Sequence, residues 1–407
     1  MGDLQRESDG QRIRRFRHRA GLNQTQLGQR IGRTQGWVSM LENDQVVLDS
    51  ISLVTTLAKA LKVDPNELLT RPVRLGRNPV EDRGHASIGE IRRQAMRLDL
   101  APDWDAPIRS VGELTAVVAA MTVLRQKAAY LKLAEMIPAV LAELHAAVHT
   151  TTGAARERCF GLLSIVYRAS DAVAYRLGYG DLSVLLVDKA RWTASCSGDP
   201  YLVAVGDYLR VRQLWMSASW SDALCVLDQT ATSLGEAYRR GEPRAVAVCG
   251  AIQLRAAITA ARDLDADEAY ARLGLAHEAL GRLSAADRAA DPDKLVFTSG
   301  NVAIHEVSVA VELGDGAEAV MRGAGLRLSA DLPRSRVGHH YLDMARGWLW
   351  CGDRARSLAV LEKAERTTPA LVRNHPLAHK TVRALLNAEH RTYKDRLRRL
   401  AVRMNAL

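Results

Sequence analysis

The sequence lacks the patterns that mark most catalytic and redox sites. It contains no Walker phosphate-binding loop, no dinucleotide-binding fingerprint and no nucleophile elbow. Its few cysteines stand singly, without a C-x-x-C pair, so we expect them to be small core residues in a reducing cytoplasm. They are Cys159, Cys196, Cys225, Cys249 and Cys351. We therefore expect no enzymatic activity and no cofactor.

Metal-binding and membrane signals are also scarce. His375 and His379 have the i, i+4 spacing of a metal-binding pair and His339 precedes His340, but no cysteine or carboxylate cluster accompanies either pair. Uncharged apolar runs are short, and the longest, from 114 to 124, falls well short of a bilayer span. We expect no secretory leader. These features predict a cytoplasmic protein with no metal site and no membrane partner.

The stretch from Gln24 to Asn43 has the apolar spacing of two short helices joined by a tight turn. Gly28 lies where close helix approach leaves room for only a very small side chain, and Gly32 follows the first helix, where a positive φ is easiest for glycine. The apolar positions that should meet between the helices are Leu27, Ile31, Val38 and Leu41. This pattern predicts a helix-turn-helix, although a small helical hairpin without DNA-binding activity would share it.

The second of these helices is expected to enter a DNA major groove. Thr34 can cap it through its hydroxyl, which places Gln35, Gly36 and Trp37 in its first turn. Gln35 carries an amide able to pair with adenine N6 and N7, so it is the best candidate for base readout. Trp37 could contact a thymine methyl or a sugar edge, or could instead pack against the fourth helix.

The region from 11 to 69 resembles the phage-repressor-like, or Xre-type, helix-turn-helix family. The matches that carry the resemblance are Arg17, Gly21, the sequence LNQ at 22–24 and the pair Glu42-Asn43. The resemblance implies that Arg17 and Glu42 form a partly buried, charge-assisted bond. It also implies that Gln24 opens the second helix and either contacts a phosphate or supports the base-reading glutamine.

The distribution of charge supports double-stranded DNA as a partner. Between Gly10 and Leu41 there are seven arginines and no acidic residue, whereas the whole chain is only +10 from 56 basic and 46 acidic residues. Gly36 and Met40 occupy positions where the family often has hydrogen-bonding side chains, so we expect few direct hydrogen bonds from side chains to bases. The residues expected to contact DNA are Arg14, Arg15, Gln24, Thr25, Arg33, Thr34, Gln35, Trp37, Ser39 and Asn43.

Composition divides the chain into three parts. Residues 1–70 are expected to form the helix-turn-helix domain with five helices. Residues 71–109 indicate a linker with one short helix near 88–98, because prolines, glycines and charges are frequent and apolar periodicity is weak. Residues 110–407 are too long for one compact core and show few strand signals. The predicted fold is therefore all-α, a five-helix head followed by an extended helical array.

Period-3.6 patterns that end at glycine or proline predict the helices of the array. Their expected ranges are 111–126, 129–149, 153–177, 182–195, 200–217, 221–240, 243–261, 265–282, 294–313, 316–329, 334–350, 354–367 and 375–404, the last with a break near 392. Short turns join these helices, which favours stacked helical hairpins.

One of these hairpins, from Tyr341 to Pro369, resembles a tetratricopeptide repeat. Trp348 falls on the first helix, Gly352-Asp353 make the turn and Ser357 takes the small-residue position. The resemblance implies that residues 110–407 form a superhelix whose concave face binds peptides or small effectors. A scaffold that holds a dimer together is the alternative. The whole chain resembles regulators of high-GC bacteria that join an Xre-type head to a helical-repeat sensor.

A candidate effector site lies on the helix expected at 294–313. Asn301 and His305 lie one turn apart among mostly apolar residues, so each needs a polar partner, which could be a ligand or a satisfied structural network. Aromatic residues on other predicted inner helices could form walls around a ligand. The candidate ligand-binding residues are Asn301, His305, Tyr208, Trp215 and Trp348.

Two functional hypotheses follow from these patterns. In the first, the protein is a transcriptional regulator without catalytic activity, whose array senses a small molecule or peptide and controls operator binding, with a homodimer covering two half-sites. In the second, it is a DNA-localised scaffold whose array docks a partner protein. A deep concavity near Asn301 would favour the first hypothesis, and an open or flat charged groove the second.

Overall fold

The computed structural model describes residues 8–46, 48, 50–63, 65–68, 79–330, 332–388, 392–404 and 406. All regular secondary structure in these residues is helical, which confirms the expected all-α fold. We call the described residues up to 68 the head and those from 79 onward the array.

The head contains five short helices. They are α1 (Asp9–Arg19), α2 (Gln24–Arg30), α3 (Gln35–Glu42), α4 (Ile51–Leu61) and α5 (Pro65–Leu68). Polar side chains cap the first four helices by accepting hydrogen bonds from backbone N–H groups of the first turn. The capping residues are Ser8, Asn23, Thr34 and Ser50. Thr34, as the cap of α3, therefore fixes the residue at which that helix begins.

The core of the head forms where α2 and α3 meet. Of the four apolar positions predicted there, Ile31 is half-buried and three are fully buried: Leu27, Val38 and Leu41. A Cβ atom on Gly28 would lie 2.6 Å from the carbonyl oxygen of Arg33, so this position admits only glycine without backbone movement. Gly32 has a φ of +66°, the left-handed conformation that the turn requires.

The start of the array contains a longer helix than the sequence indicated. The helix expected at 88–98 overlaps α6 (Pro79–Ala95), which both begins and ends earlier than expected, and residues 71–78 of the expected linker lie outside the described residues. Ile88 and Ile91 are buried in the same core as the first helices of the array, and α6 packs on α8. Glycine and charged residues obscured the start of α6 in the sequence. Gly84 instead serves packing, because a Cβ atom there would lie 2.3 Å from Leu131.

The array continues from α7 to α23, and most helices adjacent in sequence pack on one another along it, whereas the short α16 packs on α14. Its helices are α7 (Val111–Gln126), α8 (Tyr130–Thr150), α9 (Gly153–Arg176), α10 (Gly180–Cys196), α11 (Pro200–Met216), α12 (Trp220–Ser233), α13 (Gly235–Arg239), α14 (Pro243–Arg262), α15 (Ala266–Gly281), α16 (Ala285–Ala290), α17 (Ser299–Glu312), α18 (Gly316–Gly323), α19 (Arg334–Trp350), α20 (Arg354–Thr367), α21 (Pro369–Arg373), α22 (Pro376–Asn387) and α23 (Lys394–Met404).

Several predicted helix bounds are wrong. The helix expected over 294–313 begins only at Ser299, because Lys294 and Val296 adopt left-handed conformations with φ of 50° and 63°. The helix expected over 221–240 is divided into α12 and α13, and the helix over 316–329 ends at Gly323. The short helices α16 and α21 were not predicted. Apolar periodicity did not indicate the break at 294–298, since that irregular segment buries its apolar side chains as a helix would.

The hairpin expected at Tyr341–Pro369 is formed by α19 and α20. Its turn uses Gly352 with a φ of +82°, and the Asp353 side chain caps α20. Ser357 is fully buried and donates a hydrogen bond to the carbonyl oxygen of Ala345 at 2.7 Å, which explains the need for a small residue. Membership of the tetratricopeptide family stays a prediction.

Helix α14 is long and apolar enough to cross a membrane by length and composition. However, 72% of its apolar window is buried inside the protein, as in the core helix of a helical array. Its apolar character is therefore accounted for by packing against α12, α15 and α17.

The packing of α1 on α3 leads to a stability prediction. A Cβ atom on Gly10 would lie 2.5 Å from the carbonyl oxygen of Leu41, so Gly10→Ala should separate α1 from α3 at a cost of about 1–3 kcal/mol. Hydrogen exchange of the α1 and α3 amides in the full chain should show faster exchange. Gly36→Ala is the matched control, because nothing lies within 4 Å of its added Cβ atom. Equal protection in the two variants would contradict this packing account.

Candidate DNA-binding face and array cavity

A chain of hydrogen bonds runs from the buried interior of the head to the first turn of α3. Arg17 Nε lies 2.5 Å from Glu42 Oε1, and Gln24 donates to the other oxygen of Glu42 at 2.9 Å. Gln35, which is exposed, donates its amide to Gln24 Oε1 at 2.6 Å. The chain therefore holds the base-reading candidate Gln35 in position through Gln24, one of the two roles that the resemblance allowed.

The carboxylate of Glu42 is the centre of this chain. Burial alone would raise its pKa, but hydrogen bonds from Arg17 and Gln24 outweigh burial and hold the pKa below the usual value. Glu42 therefore remains ionised at neutral pH. Its charge fixes both Arg17 and Gln24, as expected for a charge-assisted bond.

The other residues predicted to contact DNA differ in their exposure and in their contacts within the head. Arg33 is exposed, and its guanidinium carbon lies 5.5 Å from the ring centre of Trp37, which is half-buried against the core of the head. Asn43 donates to the carbonyl oxygen of Ser39 at 2.9 Å and so closes the end of α3. The remaining predicted residues with exposed side chains are Arg14, Arg15, Thr25 and Thr34. DNA contact by each of these residues stays a prediction.

The array contains a cavity of about 710 Å³. Its walls come from helices between α7 and α22, and two residues of the head, Val54 and Thr55 on α4, complete the lining. Pockets of this volume hold small organic ligands. Of the aromatic side chains predicted to form a ligand site, Tyr208 and Trp215 line this cavity, together with His305.

Asn301 and Trp348 are not among the residues that line the cavity. The amide of Asn301 is buried and donates to the carbonyl oxygen of Val296 at 2.8 Å, so it supports the irregular segment before α17. Trp348 packs in a separate apolar cluster, with the guanidinium carbon of Arg356 4.7 Å from its ring centre. The N–H donor of Asn301 is therefore used in a structural hydrogen bond, as one of the two alternatives for this residue expected. The sequence spacing alone could not show that His305 lines the cavity whereas Asn301 does not.

Sequence reasoning missed the most abundant side chain of the cavity, which is arginine. Arg255 lies with its guanidinium carbon 3.6 Å from the ring centre of Tyr208, and Arg262 lies 4.2 Å from that of Trp215. The signal in the sequence was an arginine inside an otherwise apolar helix, as at 255 within α14. Such a residue is rarely placed in a core without a polar partner.

Hydrogen bonds and a buried ion pair join the head to the array. Ser52 on α4 donates to the carbonyl oxygen of Arg262 at the end of α14, at 3.0 Å. Lys380 Nζ on α22 lies 2.7 Å from a carboxylate oxygen of Asp9, and both side chains are buried. Asn387 donates to the carbonyl oxygen of Asp44 at 3.3 Å. The head is thus held through α1, the end of α3 and α4.

Comparison with known families identifies the head. Residues 10–70 match a family described as a helix-turn-helix domain. No curated protein and no solved structure matches the chain. The match agrees with the geometry of α2 and α3 and indicates a DNA-binding protein of the kind that regulates transcription.

The hydrogen-bond chain predicts different effects for two substitutions in the head. Gln35→Ala should reduce the preference for the correct base at one or two base pairs by about 1–3 kcal/mol of binding free energy, because it removes an amide that can pair with adenine. Arg14→Ala is the matched control, since loss of a phosphate contact should weaken binding to all sequences and reduce the salt slope by about one. Titrations of DNA selected from a random library by the wild-type protein, at several salt concentrations, measure both effects. Unchanged selectivity in Gln35→Ala would show that α3 does not read bases through this residue.

Proposed function

We propose that this protein is a sequence-specific, Xre-type transcriptional regulator whose DNA affinity depends on a small molecule bound in the array cavity. The DNA-binding part rests on the helix-turn-helix domain at residues 10–70. The sensing part rests on one observation, that Val54 and Thr55 of the head line the same cavity as the residues of the array. A molecule in this cavity would contact both the head and the array.

Arg262 provides a direct connection between the cavity and the head. Its guanidinium group lines the cavity, forms an ion pair with Glu312 at 3.3 Å and lies over Trp215, while its carbonyl oxygen accepts the hydrogen bond from Ser52. A ligand that displaces this side chain can therefore shift the end of α14 and the position of α4. Such a ligand changes DNA affinity only by the amount that it prefers one arrangement.

Substitutions that fill the cavity test this function without a known effector. Ala172 on α9 lines the cavity, so Ala172→Trp should occupy part of it and change the affinity for selected DNA by at least about threefold. Ala154→Trp, on an exposed position of the same helix, is the matched control and should leave the affinity unchanged. Fluorescence anisotropy of the labelled DNA with the full chain measures both.

Val184→Trp provides a second variant at the margin of the cavity, where the side chain is already 37% exposed and overpacking is less severe. If folded Ala172→Trp and Val184→Trp variants both bind DNA as the wild type does, the cavity does not control DNA binding. The array would then act as a docking scaffold, the alternative hypothesis.

We also propose that the protein binds DNA as a homodimer held by its tetratricopeptide-like array. One helix-turn-helix head covers a single half-site, and regulators of this kind gain affinity by binding two half-sites with two-fold symmetry. Light scattering at micromolar protein concentration should give twice the chain mass of 44.6 kDa, alone or on DNA. A single chain mass in both conditions would contradict the dimer.

A further inference from the structure

The cavity has a surplus of positive charge. Among the described residues, its lining contains nine arginine and lysine side chains but only four carboxylates. Each carboxylate already has an arginine partner: Asp171 with Arg212, Asp181 with Arg92, Glu312 with Arg262 and Asp343 with Arg346. The surplus therefore lies on other arginines of the cavity wall.

Four of these arginines form one group: three lie within electrostatic range of Tyr208, and Arg125 lies within range of two of the others. They are Arg125 on α7, Arg168 on α9, Arg255 on α14 and Arg336 on α19. Within the part of the chain that the structure describes, none of the four forms an ion pair with a carboxylate. All four are half-buried, so water reaches them chiefly through the cavity.

The hydrogen bonds that these arginines make are with backbone carbonyl oxygens and with the Tyr208 hydroxyl. Arg168 donates to the carbonyl oxygens of Asp293 and Lys294 at 2.6 and 2.9 Å. Arg336 donates to the Tyr208 hydroxyl at 3.4 Å, and Arg255 lies over the ring of the same tyrosine. The guanidinium group of Arg125 makes no hydrogen bond or ion pair with any described residue. These arginines therefore have N–H groups left that can donate hydrogen bonds to a molecule in the cavity.

Tyr208 can offset at most one of these positive charges. Burial alone would raise the pKa of its hydroxyl, but the charges of Arg255 and Arg336 lower it to about 7, so the hydroxyl is partly ionised at neutral pH. Burial, together with the charge of Arg168, lowers the pKa of Arg125 to about 9, so this arginine still carries its charge at neutral pH. Like charges gathered in a partly dry space are unfavourable unless an anion neutralises them.

Some arginines outside the cavity have carboxylate partners. Half-buried Arg244 is bound by Asp199 and Asp293 at 2.9 and 2.7 Å, and buried Arg17 is bound by Glu42. Half-buried Arg288 donates only to backbone carbonyl oxygens, so the distinctive feature of the cavity is that four such side chains converge on one space.

We propose that Arg125, Arg168, Arg255 and Arg336 bind a multiply charged oxyanion of the effector, such as a phosphoryl group or a set of carboxylates. The planar donors of arginine match the geometry of both kinds of group. Tyr208 and Trp215 would contact the remainder of the ligand. This inference rests on the proposed function for the assignment of the cavity as the effector site, but anion binding can be measured independently of DNA.

Isothermal titration calorimetry of the full chain with three probes tests the proposal. Inorganic pyrophosphate represents phosphoryl ligands, citrate represents polycarboxylates and acetate is the singly charged control. We expect one site per chain for pyrophosphate or citrate, weakened at least about tenfold by Arg125→Gln and by Arg336→Gln. Loss of either arginine leaves no carboxylate unpaired, so both variants should fold, as circular dichroism can verify.

Two matched variants control for the general loss of an arginine charge. Arg354→Gln removes an exposed arginine outside the cavity lining, and Arg14→Gln removes one from the DNA-binding head; neither should affect this site. Binding of pyrophosphate alone would assign a phosphoryl ligand, and binding of citrate alone would assign a polycarboxylate.

The proposal is overturned if neither multiply charged anion binds, if acetate binds as tightly, or if both cavity variants bind as the wild type does. Anion binding in the cavity without any effect on DNA affinity would instead refute the proposed function and leave this inference standing. Altered DNA affinity in the cavity-filling variants without any anion binding would support the proposed function and refute this inference.

Discussion

Positive charge that the protein does not itself neutralise is the constraint on which the interior of the array depends. Arg255 lies over the ring of Tyr208, and neither it nor the neighbouring arginines at 125, 168 and 336 form an ion pair with a described carboxylate. Where their mutual repulsion is poorly screened, an anion that enters the cavity should stabilise the folded state. Charge therefore links occupation of the cavity to the stability of the helices around it.

The same cavity is joined to the DNA-binding head by short, direct contacts. Arg262 faces the cavity with its side chain and holds Ser52 with its carbonyl oxygen, and Ser52 belongs to the helix that carries Val54 and Thr55. The buried pair of Lys380 and Asp9 fixes the head at a second helix. A change in the cavity thus has a short physical route to the orientation of α3, with no long chain of residues required.

The head could be predicted in detail from the sequence because its determinants are local. The cap at Thr34, the close approach at Gly28 and the pairing of Arg17 with Glu42 follow from short spacings within one small domain. The bounds of α19 and α20 were likewise predictable, because their stop signals adjoin regular apolar patterns.

The cavity proposed as the effector site was less predictable because its lining depends on contacts between distant helices. Asn301 and His305 lie one turn apart, yet only His305 lines the cavity, since the chain bends at Val296 and uses the Asn301 amide for its own support. The four arginines proposed to bind an anion come from α7, α9, α14 and α19, and no sequence period brings them together. Their convergence becomes apparent only when the array is folded.

Thermodynamic reciprocity gives the most direct test of the central claim, that the cavity and the DNA-binding face are coupled. If an anion in the cavity changes the affinity for DNA, DNA must change the affinity for the anion by the same factor. Calorimetric titration of pyrophosphate into the full chain, with and without saturating selected DNA, measures this factor while DNA occupies the basic face of the head. The account predicts dissociation constants that differ by at least about threefold. Identical constants in the two titrations would contradict it.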